Sequence, residues 1–157
     1  DNVRRGAEEI RRGTAALRGT GGQCLVPFAQ AQLASALVAC GDAASALAAA
    51  AEAVRLAREN EEFAWESEAL RTLGEVRLAA GERDAAEADL RAALNVARRQ
   101  SARSFELRAA TSLSRLWAAE GERRKAHELL APVYAGFAEG LDTTDLTQAR
   151  ALLDETG

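Results

Sequence analysis

Residues 73–93 read LGEVRLAAGERDAAEADLRAA. Leu70, Leu73, Val76 and Leu78 form an apolar stripe at helical spacing that runs up to Gly81. A second stripe, Ala86, Leu90, Ala93, Leu94 and Ala97, follows it. A glycine between two such stripes ends the first helix, where a left-handed backbone is needed and a side chain costs about 1 kcal/mol. The stretch is therefore two helices joined at Gly81.

The unit recurs without gaps at an offset of 40 residues, which superimposes Gly41, Gly81 and Gly121. Ala46, Ala86 and Ala126 align after the glycines, followed by Ala53, Ala93 and Val133. Leu33, Leu73 and Leu113 align before them, each followed by a small residue: Ala34, Gly74 and Ser114. Trp65 and Phe105 also match, with Leu25 in the first copy. Self-similarity at one period over three copies predicts a helical repeat array, and the small residues predict close approach of paired helices. GER at 81 and again at 121 is then a turn, not a duplicated site.

The expected fold class is an all-α solenoid of stacked antiparallel hairpins with eight helices. Their expected ranges are 3–18, 23–40, 43–60, 63–80, 83–100, 103–120, 123–139 and 143–155. Residues 1–19 read as the second helix of a truncated unit, with Ile10, Gly13 and Leu17 in the places of Ala50, Ala53 and Ala57. Residues 23–60, 63–100 and 103–139 read as three repeats, and 142–156 as a helix capped by Asp142 or Thr143 that covers the end of the stack. At the other end, truncation before Asp1 is expected to uncover an apolar face, with self-association through solenoid ends as its consequence.

Composition supports the helical reading. Helix formers dominate, and the 157 residues include only two prolines. The net charge of −4 lacks the basic field that nucleic-acid binding requires. Residues 19–41 carry no charge, but four glycines, Pro27 and three glutamines make the stretch too polar to span a membrane. The chain has no methionine, so a processed product or a piece of a longer protein is expected. Lys125 is its single lysine, which with the alanine and glycine content suggests a GC-rich bacterial genome. Cys24 and Cys40, placed on one helix, would lie about 24 Å apart, too far for a disulfide. They read as buried thiols in a cytoplasmic, reducing compartment.

The Leu–small pair, the glycine seven residues on, and the alanines five and twelve beyond resemble the tetratricopeptide repeat. The period here is 40 where that family has 34, and its closing proline is absent. Longer helices in the same stacked hairpins are expected. RRQSARSFELRAATSLSRLW at 98–117 and LLAPVYAGFAEGLDTTDLTQARALLDE at 129–155 resemble a more particular group. These are the tetratricopeptide-like tails of large bacterial signalling proteins: class III adenylate/guanylate cyclases and related ATPases or transcription regulators. The resemblance implies that catalysis belongs to upstream domains. It also implies a concave groove lined by Phe28, Ser35, Glu68, Arg71, Glu75, Arg108, Thr111 and Arg115. Arg108 and Arg115 are expected to present guanidinium forks to a partner's carboxylate, and Arg71 with Glu75 could form an intrahelical pair.

Chemistry of the chain's own is not expected. Gly19-Thr20-Gly21-Gly22 lacks the Lys-Ser/Thr of a phosphate loop. His127 is the single histidine, with no cysteine near it to complete a metal site. Asp84, Glu87 and Asp89 read as solvated pairs with nearby arginines, and Trp65 and Trp117 as packing residues. No nucleophile is placed with a base. The expected function is a non-catalytic interaction and regulatory module without a cofactor, binding protein segments or its own upstream domains. A small-molecule sensor is the rival reading, and catalysis by the chain itself a distant third.

Overall fold

The computed structural model describes residues 2–21, 24–59 and 63–157. Among them are eight α-helices and no strand: α1 (Asn2–Gly19), α2 (Val26–Ala39), α3 (Ala43–Glu59), α4 (Phe63–Ala79), α5 (Arg83–Arg99), α6 (Arg103–Ala119), α7 (Arg123–Ala135) and α8 (Thr144–Thr156). The helix expected from 23 begins at Val26, after a turn at Cys24 and Leu25, while its expected first residue and the expected end of the next helix at 60 fall outside the described residues.

The turn is repeated with its hydrogen bonds. Gly41, Gly81 and Gly121 have φ of 78°, 83° and 84°. Each glycine N–H donates to the carbonyl three residues back: Val38, Leu78 and Ala118. The next N–H reaches five back, from Asp42 to Leu37, Glu82 to Arg77 and Glu122 to Trp117, at 2.9–3.0 Å. This paired pattern satisfies helix-end carbonyls that no helical N–H can reach. The connection from α5 to α6 uses the same bonds, with Ser101 donating to Arg98 and Ala102 to Ala97. There the left-handed residue is Ser101, at φ 54°.

The helices form two rows. In one row α2, α4, α6 and α8 each approach the next, whereas α1, α3, α5 and α7 approach only members of the first row. Close contact on one side and separation on the other curve the stack, so the α2–α4–α6–α8 row lines the concave face. Within a hairpin the approach is tightest at Gly74, where an added Cβ would lie 2.8 Å from Leu90 Cγ and 3.1 Å from the Ala86 carbonyl. Ser114, its counterpart, is fully buried and donates to the Ala126 carbonyl at 3.0 Å. The core between the rows holds Leu33, Leu73, Leu90, Leu107, Leu113 and Leu130, with fully buried Ala50, Ala53 and Ala93. Ion pairs follow the same period. Arg58 on α3 meets Glu66 on α4 at 2.9 Å, and Arg98 on α5 meets Glu106 on α6 at 2.8 Å.

Several expectations are corrected. The helix expected over 123–139 ends at Ala135. Its last turn tightens, Gly136 donating to Val133 and Phe137 to Tyr134, while Arg103 donates to the Gly136 carbonyl and stacks on Phe137 at 5.1 Å. Cys24 is exposed and precedes α2, and Cys40 is half-buried as its C-cap, so neither is the buried thiol anticipated. On α1 the buried residues are Ala7 and Thr14, with Gly13 exposed, and the Thr14 hydroxyl is satisfied on the Ile10 carbonyl. The exposed face of α1 carries Arg4, Arg5, Glu8, Glu9, Arg11 and Arg12 beside exposed Val3, so it is mainly charged and not the continuous apolar face anticipated. Thr143 is the N-cap of α8 but caps through its backbone alone. At the other end α8 buries Leu146, Ala149 and Leu152 against α6 and α7. His127 is half-buried beside Gly157.

Trp117 pins the outer row. Its indole Nε1–H donates to Glu87 on α5 at 2.9 Å, and its ring lies 4.9 Å from the Arg91 guanidinium and 4.1 Å from Lys125 Nζ. Asp89, anticipated as a solvated surface group, instead pairs at 2.8 Å with Arg77 on α4. Burial pushes the Asp89 carboxyl above its ordinary value, while the Arg77 and Arg58 charges oppose that rise.

Gly81→Ala is expected to cost about 1 kcal/mol, from conformation alone, since an added Cβ there meets nothing within 4 Å. Ser101→Gly should gain a similar amount, and urea midpoints of the two variants check both signs. Glu87 is held below its ordinary 4.5, first by the Trp117 hydrogen bond and then by Arg91. A lowered carboxyl value contributes stability above the unfolded-state pKa and loses it as pH falls through the folded one. In a Trp65→Phe background, the Trp117 emission should titrate with a midpoint under 4.5. A midpoint at or above that value would contradict the hydrogen bond.

Candidate concave groove

The helical period puts side chains three, four and seven residues apart on one face, so each inner helix contributes a short column to the groove. Six of the eight anticipated residues meet in one cavity of about 420 Å³: Glu68, Arg71, Glu75, Arg108, Thr111 and Arg115. Gln32, Ser112, Asp145 and Gln148 complete its lining. The sequence pattern did not point to Asp145 or Gln148. They stand on α8, and that helix reads by itself as a cap and not as a fourth wall.

A chain of charges crosses the cavity. Arg71 grips Glu68 with two bonds of 2.7 and 2.9 Å, and Glu75 with a third of 2.5 Å. Glu68 is 3% exposed. A buried carboxylate is tolerated only with such pairing. The two carboxylates hold the Arg71 guanidinium firmly in its charged form, against the effect of its burial. Arg108 on α6 reaches Asp145 on α8 at 2.7 Å and Glu68 on α4 at 3.5 Å, joining three inner helices. Ser112 donates to Glu75 at 2.7 Å. Thr111 turns its hydroxyl back to the Leu107 carbonyl at 2.8 Å and offers the groove little more than its methyl.

Arg108 is therefore not the free fork that was anticipated. Asp145 and Glu68 already occupy it, because α6 lies between α4 and α8 in the row. Arg115 is exposed and has no hydrogen bond or ion pair among the described residues. Arg71 binds Glu75, as anticipated, and binds Glu68 as well.

Phe28 and Ser35 lie outside the cavity. Phe28 packs its ring 4.8 Å from Trp65, which in turn lies 6.0 Å from Phe105. Three half-buried aromatics thus run across α2, α4 and α6, with exposed Leu25 excluded from the row in which the offset had placed it. Phe28 stands one turn further along its helix than the repeat register requires, and its longer side chain spans the difference. Ser35 is exposed and returns its hydroxyl to the Ala31 carbonyl.

A second cavity of about 430 Å³ continues the groove toward the Gly81 turn and shares Glu75, Ser112 and Arg115 with the first. Its remaining walls are Leu78, Leu116, Ala119, Gly81 and Arg83. Arg83 is tied to Glu120 by bonds of 2.5 and 3.0 Å. The groove thus has an aromatic shelf at one rim, a neutralised polar middle, and an apolar slot at the other rim. Among the described residues no three His, Cys, Asp or Glu side chains gather as a metal would require. Among them, too, no helix is long and apolar enough to cross a membrane.

No family description and no curated protein matches the chain. Its similarity is to solved structures. Two structures of a Podosopora anserina protein described as a kinesin light chain with nearly identical TPR-like repeats superimpose on 98% of the chain. Their TM-scores are 0.70 and 0.68, at 20% and 19% identity, and the match spans 76% and 77% of those chains. At such identity the similarity concerns the fold, which is a TPR-like helical solenoid.

Arg71→Ala leaves Glu68 buried with only its longer contact to Arg108, and is expected to cost about 3 kcal/mol. Arg115→Ala removes no hydrogen bond or ion pair found among the described residues and should change stability by less than about 0.5 kcal/mol. Paired urea titrations check the contrast, which vanishes if the network does not form.

Proposed function

We propose that this chain is a non-catalytic protein-interaction and regulatory module, whose concave groove binds polypeptide segments. Inner helices of a solenoid offer an extended, preformed surface, and here they bring the side chains of α4, α6 and α8 to one continuous groove. That groove is the observation that carries the reading. Apart from Arg115 its charges are spent on each other, and the carboxylate beside Ser112 is held by Arg71, so binding fits it better than chemistry.

The resemblance of residues 98–117 and 129–155 to the tails of bacterial class III adenylate/guanylate cyclases and signalling ATPases suggests the setting. In that setting the module packs on, or receives, upstream catalytic domains of its own polypeptide in the cytoplasm, and self-association through a solenoid end is a further mode. The charged face of α1 favours a polar and reversible contact there. One observation supports a second reading. The apolar slot by Leu78 and Leu116 has the size of a small-molecule site, as an effector-sensing domain of a transcription regulator or ATPase would need.

Calorimetric titration of the chain with the domains encoded upstream of it tests the first reading, and saturable one-to-one binding is the expected result. Thermal shifts against a metabolite panel test the second, since a ligand at 100 times its Kd adds about 2.7 kcal/mol. Silence in both experiments reduces the module to a spacer.

A further inference from the structure

The two cavities differ in what they leave unsatisfied. In the polar one Glu68, Glu75 and Asp145 are all bonded to arginine or serine, so no anion there awaits a ligand's cation. Arg71 and Arg108 are bonded as well, and Arg83 on the far rim belongs to Glu120. Arg115 has no such partner among the described residues, and it stands where the polar cavity opens into the apolar slot. A guanidinium beside an apolar surface is only weakly hydrated, so a carboxylate arriving there gains a forked pair of hydrogen bonds at low desolvation cost.

Within the reading of the groove as a peptide site, we propose that its specific ligand is a segment in which an aliphatic or aromatic residue stands within two positions of an Asp or Glu. The apolar side chain enters the slot formed by Leu78, Leu116 and Ala119, and the acidic side chain takes Arg115. Charge complementarity decides the class. With every other groove charge neutralised, a basic segment meets only Arg115 and repulsion, while a segment with several acids gains one pair and leaves the others without partners. The ligand is thus apolar with a single acid at the right distance, not a polyacidic tract.

Selection of random 12-residue peptides displayed on phage against the intact chain is the direct test. The expected winners carry the apolar–acidic pair. Changing that Asp or Glu to its amide should weaken binding about tenfold or more in the parent chain and have no effect in Arg115→Ala, a double-mutant cycle that isolates the pair. Ala119→Arg, at an exposed position, should fill the slot and abolish binding without changing the urea midpoint. Peptides that bind without the acid, or whose amide penalty survives in Arg115→Ala, overturn this assignment and leave the groove reading intact. Failure to select any groove-dependent peptide overturns both.

Discussion

The left-handed turn at each inter-helix glycine is the constraint on which the rest of this structure depends. Gly41, Gly81 and Gly121 allow the first helix of each hairpin to close its last carbonyls on the N–H groups that follow, and so fix the angle at which the second helix returns. With that angle fixed, Gly74 and Ser114 come against Ala86 and Ala126, and the same register delivers every later side chain to its place. Ser101 shows the strength of the demand. A β-carbon is accepted in the left-handed region because the flanking helices determine the turn from both sides.

From that register follows the division of the inner row into zones. Positions 68 and 108 are successive copies of one site, yet they carry Glu and Arg. Opposite charges on adjacent steps meet across the row, as Glu68 and Arg108 do. A solenoid that repeated its groove residues faithfully would place like charges side by side, so divergence at these positions is what allows the buried carboxylate to persist. The period also explains why one guanidinium stays free. Arg115 is the counterpart of Glu75, but Glu75 has been taken by Arg71 and Ser112.

Much of this was legible beforehand. The glycine spacing and the stripes around it specify hairpins and their order, because backbone conformation at a turn and the period of a helix are local properties. The list of inward residues was largely legible too, since helical periodicity decides which face each one shares. Leu25, Phe28 and Cys24 mark where such reasoning stops. Phe28, and not Leu25 at the 40-residue offset, packs on Trp65, because which side chain reaches the next helix depends on tertiary packing.

The sequence by itself thus determined an all-α repeat solenoid, its period, its turns and most of the groove positions on α4 and α6. The tertiary structure decided which of those concave charges are available. Arg108 and Arg115 look equivalent in the sequence, two turns apart on one helix face. They differ because α8 folds back to set Asp145 against one of them, 37 residues away in the chain, and no acid against the other. Pairing of that kind depends on where a distant helix docks, and docking is settled by the whole apolar stack rather than by any local pattern.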